Sequence, residues 1–132
     1  VNFLLDTNIF LEVILDQEKS EDAKRILTNI EKHSLYISDY SLHSLGFLLF
    51  RRNLQMVFWQ FVVDVIFNSG IQLISLSSDD MISVVNCSQK FNLDFDDAYQ
   101  YAVAEINNLN IISFDSDFDR TEKGRKTPIE MN

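Results

Sequence analysis

Aspartates at three separated places carry the chemistry this sequence could do. Asp6 ends the apolar run Val1–Leu5, Asp115 follows Ile111–Phe114, and Asp94, Asp96 and Asp97 gather ahead of a helix-compatible stretch. From Phe91 to Arg120 the chain carries seven acids (Asp94, Asp96, Asp97, Glu105, Asp115, Asp117, Asp119) against one base, Arg120. Like charges held together cost energy unless something offsets them. A divalent cation is the simplest offset. Hard ions such as Mg²⁺ take oxygen ligands and keep several waters, so a few carboxylates suffice. Such an ion can make a water nucleophilic and stabilise charge on a phosphate.

Each acidic group also has a plainer reading. Asp6 suits a turn or the N-cap of a helix. Asp94 with Asp97 resembles a capping pair, both favoured by the helix dipole. Asp115-x-Asp117-x-Asp119 could be a solvated turn; it starts like an EF-hand loop, but no glycine or distal glutamate follows at the required spacing. The functional reading rests on the three groups occurring together at the ends of strands and helices. In an open parallel sheet, ligands bind beyond the carboxyl ends of the strands.

The elements that must position these groups follow from periodicity and punctuation. Val1–Leu5 reads as a buried strand, and Asn8 to about Leu15 as a helix. Ser20, followed by Glu21 and Asp22, caps a helix to about Glu31. Leu35–Ile37 is a short strand, after which Ser38 or Asp39 caps a helix to about Arg51. Asn53 and Leu54 open an aromatic helix to about Asn68, closed by Gly70. Ile71–Leu76 is the third strand, and Ser77 or Ser78 caps a helix to about Gln89. Asp94 begins a helix to about Asn107, Asn110–Ser113 is the fourth strand, and Pro128–Met131 is a candidate last one. Strands alternating with helices predict an α/β fold: a three-layer α/β/α sandwich with a central, mostly parallel sheet.

Bulk properties agree. The 132 residues suit a single domain over 1–132. They are 46% hydrophobic with 11 Phe but only 3 Gly and 1 Pro, which favours long elements over a turn-rich sandwich. Met56–Phe67 is apolar but too short to span a membrane, and Asp64 interrupts it. The N-terminus lacks the basic stretch and small-residue site of a signal peptide. The single cysteine, Cys87, excludes an internal disulfide and fits a reducing, cytoplasmic setting. A net charge of −9 counts against a general nucleic-acid-coating role. It does not exclude a nuclease, because a bound metal changes the local sign.

Three segments together resemble the PIN domain superfamily, and within it the VapC-type toxins: Leu4-Leu5-Asp6-Thr7-Asn8, the Asp97-Ala98 helix with Ala102 and Ala104, and the turn Ser113-Phe114-Asp115-Ser116-Asp117-Phe118. Their order and separations match over nearly the whole chain. The resemblance implies that Asp6, Asp97 and Asp115 bind Mg²⁺ or Mn²⁺ with Asp117 assisting. It also implies that Thr7 and Ser113 steady the carboxylates through their hydroxyls, with Asn8 and Ser38 in supporting positions. The implied activity is a metal-dependent endoribonuclease, the toxin of a toxin–antitoxin pair. The implied partners are an RNA substrate, an antitoxin protein and a second copy of the chain. One position departs. Where the family places a helix glutamate, counted from Ser38, this chain has Ser44 beside His43. Asp39, Asp94 or Asp96 could compensate; alternatively the domain is catalytically weak or inactive and binds RNA or a partner protein.

Other residues admit two readings. His43 is a phosphate contact or general acid, or else a helix-surface histidine. Arg51, with Arg52, either complements a helix C-terminus or meets phosphates. Arg120, Lys123, Arg125 and Lys126 flank the acidic turn, where a polynucleotide could run, or form a solvated tail. The aromatics between Phe47 and Phe67 are expected mostly in the core, with a surplus face for a dimer or partner. A phosphoryl-accepting receiver domain would need an aspartate ending the third strand and a lysine soon after the fourth, and the sequence has neither.

Overall fold

The computed structural model describes residues 2–28 and 32–128. Four strands, β1 (Asn2–Leu5), β2 (Ser34–Ser38), β3 (Gln72–Ile74) and β4 (Asn110–Ile112), form one parallel sheet in the order β3-β2-β1-β4. β1 pairs on both sides, Leu4 lying opposite Tyr36 on β2 and Ile111 on β4. A parallel strand covered on both faces needs apolar side chains pointing both ways, which is why Phe3, Leu4 and Leu5 are all buried. Phe3 and Leu5 face a cluster containing Ile9, Phe10, Ile26, Leu45 and Phe61. Leu4 faces the opposite one, with Val84, Ala98, Ala102, Ile111 and Phe118.

The first helical layer holds α1 (Thr7–Ile14), α2 (Ser20–Thr28), α3 (Asp39–Arg51) and α4 (Gln55–Phe61); the other holds α5 (Met81–Phe91) and α6 (Phe95–Ile106). The expected α/β/α sandwich is therefore observed. α6 is the most buried helix, with every residue from Asp97 to Ala104 inside. Its alanines at positions 98 and 102 have no exposed surface, so the helix lies close against β1 and β4.

Several boundaries differ from the sequence expectation. α4 begins at Gln55 because Asn53 adopts a left-handed conformation (φ 59°) that ends α3 first. It then widens into a π-helical segment over Val62–Phe67, with Asn68 N–H returning to the Val63 carbonyl. Gly70 follows this cap rather than forming it. Its φ of 85° favours glycine through the backbone alone, because a Cβ there would meet nothing within 4 Å. β3 is shorter than expected, an edge strand with Leu73 half exposed. α5 follows a single 3₁₀ turn whose Ser77 and Asp80 form a capping box. At the sheet's other edge, Lys126 makes an isolated parallel bridge with Ile112. Of the proposed last strand, 129–131 lie outside the described residues, as do Val1 and the expected end of α2 at 29–31.

The aromatic stretch corrects a larger expectation. It is split between α3 and α4, and only Phe61 is fully buried. Phe47, Phe50, Trp59 and Phe67 are all more than half exposed. The sheet face is already filled by α1, α2 and the inner side of α3, which leaves α4 to pack on the outside. Gly46 permits this approach, because a Cβ there would come within 3.2 Å of the Phe58 ring.

Candidate metal centre

The sheet's carboxyl edge is built from side chains that leave β1 and β4 together. Asp6 ends β1, and its N–H donates to the Ile112 carbonyl at 3.0 Å. As N-cap of α1 it also accepts from the Thr7 N–H at 2.9 Å. Two more donors complete its carboxylate: Gln100 Nε2 at 3.0 Å and Ser113 Oγ at 2.7 Å. Ser113 Oγ in turn accepts from the Asp115 N–H at 2.8 Å and from Asn8 Nδ2 at 3.2 Å. One serine hydroxyl thus ties Asp6 to the start of the Asp115 turn.

In front of this frame stand Asp97, Asp115 and Asp117. Each offers a carboxylate oxygen, and these oxygens all lie within 4.8 Å of one another. Asp97 projects from the first turn of α6, where the helix dipole favours negative charge. Asp115 caps the 3₁₀ turn Ser116–Arg120 by accepting from the Asp117 N–H at 2.8 Å. Asp117 accepts from Arg120 Nη2 at 2.8 Å, and Arg120 Nη1 donates to the Asn92 carbonyl.

Electrostatics set Asp97 apart. It is buried, and no protein donor reaches its carboxylate among the described residues. Burial, and then the charges of Asp115, Asp96, Asp6 and Asp117, push its carboxyl up to about 8. Asp6 is also raised, by burial first and by Asp115 last, against the pull of its donors Ser113, Gln100 and Thr7. Three hard oxygen donors converge with one of them unpaired. That set suits a divalent cation such as Mg²⁺ or Mn²⁺.

Other site residues differ from expectation in instructive ways. Asp117, expected to assist at the metal, is one of the three converging carboxylates. Asp6 lies close enough for its charge to act on Asp97, but it is committed to three donors. The Thr7 hydroxyl does not steady a carboxylate; it pairs with Ser41 Oγ at 2.8 Å, leaving only its N–H for Asp6. Ser38 caps α3 and reaches the site through Gln100 alone. Asp94 and Asp97 do not form a capping pair, because the N-cap Asp94 makes no side-chain bond. Asp94 and Asp96 are exposed, and Asp96 adds charge beside Asp97. Asp39 is engaged by the Tyr99 hydroxyl at 2.7 Å and does not join the cluster.

The candidate substrate contacts scatter. His43 and Arg51 line an apolar groove between α3 and α4 with Phe47, Phe50 and Phe58, and Arg51 sits 5.4 Å over the Phe47 ring. Arg120 is tied to Asp117, and Arg125 to Asp119 and the Ser113 carbonyl. Lys123 is exposed, with its backbone N–H on Tyr101.

Gln100 was not anticipated. It is 1% exposed and bridges the whole frame: its amide donates to Asp6 and to Ser41 Oγ, and its carbonyl accepts from Ser38. The available signal was a lone amide between two tyrosines in the Ala98–Ala104 run, three residues beyond Asp97 and so on its face of the helix.

The PIN domain family model matches residues 3–124. No curated protein sequence matches the chain. Among solved structures the chain is similar to a toxin–antitoxin complex from Klebsiella pneumoniae, at 22% identity over 95% of this chain and 96% of that one, with a TM-score of 0.73. It is similar to VapBC2 from Rickettsia felis bound to a DNA fragment from their promoter (18% identity, 96% and 97% covered, TM-score 0.74). It is also similar to VapC20 from Mycobacterium tuberculosis, a sarcin–ricin loop cleaving toxin (17% identity, 89% and 92% covered, TM-score 0.74). At these identities the likeness is one of fold.

Proposed function

The chain belongs to the PIN domain family, and from that premise we propose that it is a Mg²⁺- or Mn²⁺-dependent endoribonuclease, the toxin of a toxin–antitoxin pair acting in the cytoplasm. PIN domains are in general metal-dependent nucleases. The observation that carries the reading here is the convergence of Asp97, Asp115 and Asp117 within 4.8 Å, with Asp97 buried and unpaired.

Asp97, Asp115 and Asp117 would hold the cation, which when bound supplies a Lewis acid for water and for a phosphate oxygen. Asp6 acts through the frame: its bond from Ser113 Oγ leaves that oxygen facing the Asp115 N–H, which orients the turn. Arg120 holds Asp117 in place and offsets part of its charge. Ser44 brings no acid, but a third carboxylate arrives from the turn after β4. The unburied aromatic face around Phe47 and Phe50 is the surface we assign to protein contact within the toxin–antitoxin assembly.

Calorimetric titration with Mn²⁺, paired with cleavage of a structured RNA, tests the proposal. Wild type should take up Mn²⁺ and cut, and Asp97→Asn should lose both. Uptake without cleavage would favour the non-cleaving RNA- or partner-binding module, and equal activity in both proteins would remove Asp97 from the site.

A further inference from the structure

Behind the acidic cluster the fold buries more polarity than its helices need. Gln100 lies in the stretch of α6 where every residue from Asp97 to Ala104 is buried. Its side-chain nitrogen donates to Asp6 Oδ1 at 3.0 Å and to Ser41 Oγ at 2.7 Å, and its oxygen accepts from Ser38 Oγ at 2.6 Å. Ser38 and Ser41 have no exposed surface. Ser41 Oγ pairs in turn with the Thr7 hydroxyl at 2.8 Å. One amide therefore joins the end of β1, the first turn of α3 and the middle of α6.

The direction of that amide is set by chemistry. An ionised carboxylate only accepts, so the NH₂ group must face Asp6, and the oxygen is left for the Ser38 hydroxyl. Turning the amide over would set oxygen against oxygen at Asp6 and break the bond from Ser38. The two oxygens of Asp6 are unlike as a result. Among the described residues, Oδ1 accepts from the Thr7 N–H and from Gln100, while Oδ2 accepts from Ser113 Oγ alone. An ionised carboxylate has about four acceptor positions, so the open one lies on Oδ2, the oxygen linked through Ser113 to the Asp115 N–H. Packing does not call for this arrangement. With an apolar side chain of similar shape in place of Gln100, Ser38 and Ser41 would still stand 3.4 Å apart and could satisfy each other.

We infer that Gln100 is a positioning residue of the metal centre: it fixes the rotation of the Asp6 carboxylate behind Asp97, Asp115 and Asp117, and it anchors that carboxylate to α3 as well as to the sheet. Gln100 acts only through Asp6, whose charge bears on Asp97 and whose Oδ2 steadies the Asp115 turn through Ser113. This inference rests on the cation-binding part of the proposed function and names a residue on which that site depends. Groups that orient a metal site from behind its ligands change affinity or activity by about 10- to 100-fold when removed.

The test measures Mn²⁺ affinity by calorimetry, and single-turnover cleavage of a structured RNA, for wild type, Gln100→Leu, Asp6→Asn and the double variant. Gln100→Leu should keep the wild-type urea midpoint, lose about ten-fold in Mn²⁺ affinity and cut more slowly. In the Asp6→Asn background the same change should bring no further loss, because its route to the ion is gone. Additive losses would assign Gln100 to packing alone and overturn the proposal, as would wild-type affinity in Gln100→Leu. A second measurement needs no variant to fold. The side-chain amide protons of Gln100 in wild type, followed by NMR, should exchange slowly with D₂O and shift as Mg²⁺ is added. Signals that stay still while the ion binds would also overturn it. Cleavage separates this inference from the ribonuclease reading. If wild type binds the ion and moves the Gln100 signals but leaves RNA intact, the ribonuclease reading fails and Gln100 keeps its place at a metal centre. If wild type cuts and Gln100→Leu matches it in affinity and rate, the positioning role alone fails. A chain that takes up no ion defeats both.

Discussion

Asp97 holds a buried carboxyl that no protein donor meets among the described residues, and this has a measurable consequence. Its folded value of about 8 lies far above the ordinary 3.8. Between those values the folded chain keeps a proton that the unfolded chain has released, so stability falls as pH rises through that window. Metal-free protein, melted in chelator, should therefore lose Tm steadily from pH 5 to pH 8. Asp97→Asn should flatten that slope and melt higher than wild type at pH 8. Cation binding must displace the same proton. Mn²⁺ affinity should therefore climb towards pH 8, and calorimetry in buffers of different ionisation enthalpy should detect proton release. A pH-independent Tm in wild type would mean that Asp97 is neither desolvated nor crowded. At this scale the sequence revealed the acids but not their partners. Asp6, Asp97 and Asp115 stand out by residue type and by their place at element ends. Gln100 and Ser41, which connect Asp6 to α3, do not, because an amide and a hydroxyl declare a role only through what surrounds them. The same limit misplaced the Thr7 hydroxyl, whose direction follows from the turn into α1 and not from its neighbours in sequence.

Helix α6 is the element that sets the site's geometry, since it delivers Asp97 and Gln100 from one face. It does so by lying close to the sheet on Ala98 and Ala102, neither of which has exposed surface. Enlarging either side chain should push the helix outward. Ala102→Leu should cost about 1–3 kcal/mol in chemical denaturation. It should also weaken Mn²⁺ uptake, although residue 102 carries no ligand atom. A leucine accommodated with unchanged metal affinity would show that α6 is not held at this spacing. The existence of α6, like that of α3 and all four strands, was legible from apolar periodicity and from caps such as Ser38. The region between α3 and β3 was not. There the sequence is apolar on several faces, so periodicity carries no direction. The start of α4 depends instead on the left-handed Asn53, and its end on a π-helical widening that no residue type announces. The expectation that most aromatics between Phe47 and Phe67 are core failed for the same reason, since Phe47, Phe50, Trp59 and Phe67 are exposed and the surplus face is larger than expected. Hydrophobicity says that a side chain favours burial, but whether room remains against the sheet depends on what α1 and α2 have already filled.

For the whole molecule, charge poses the remaining question. A chain of net −9 should repel a polyanion. The cations nearest the acidic cluster are already engaged, Arg120 by Asp117 and Arg125 by Asp119. Few phosphate contacts to Lys or Arg are then left, so few counterions can be released on binding. RNA affinity should consequently depend little on monovalent salt and strongly on the divalent ion that reverses the sign at the cluster. Binding measured from 50 to 200 mM KCl with Ca²⁺ present should give a shallow slope, about −2 or less in magnitude on a log–log plot. Chelator should abolish binding at every salt concentration. A steep slope, or binding that persists in chelator, would point to a basic surface that recognises the backbone on its own, with the exposed Lys123 and Lys126 the first residues to neutralise. A shallow slope with full divalent dependence is what a site built from carboxylates requires, because carboxylates repel phosphate until a cation is in place.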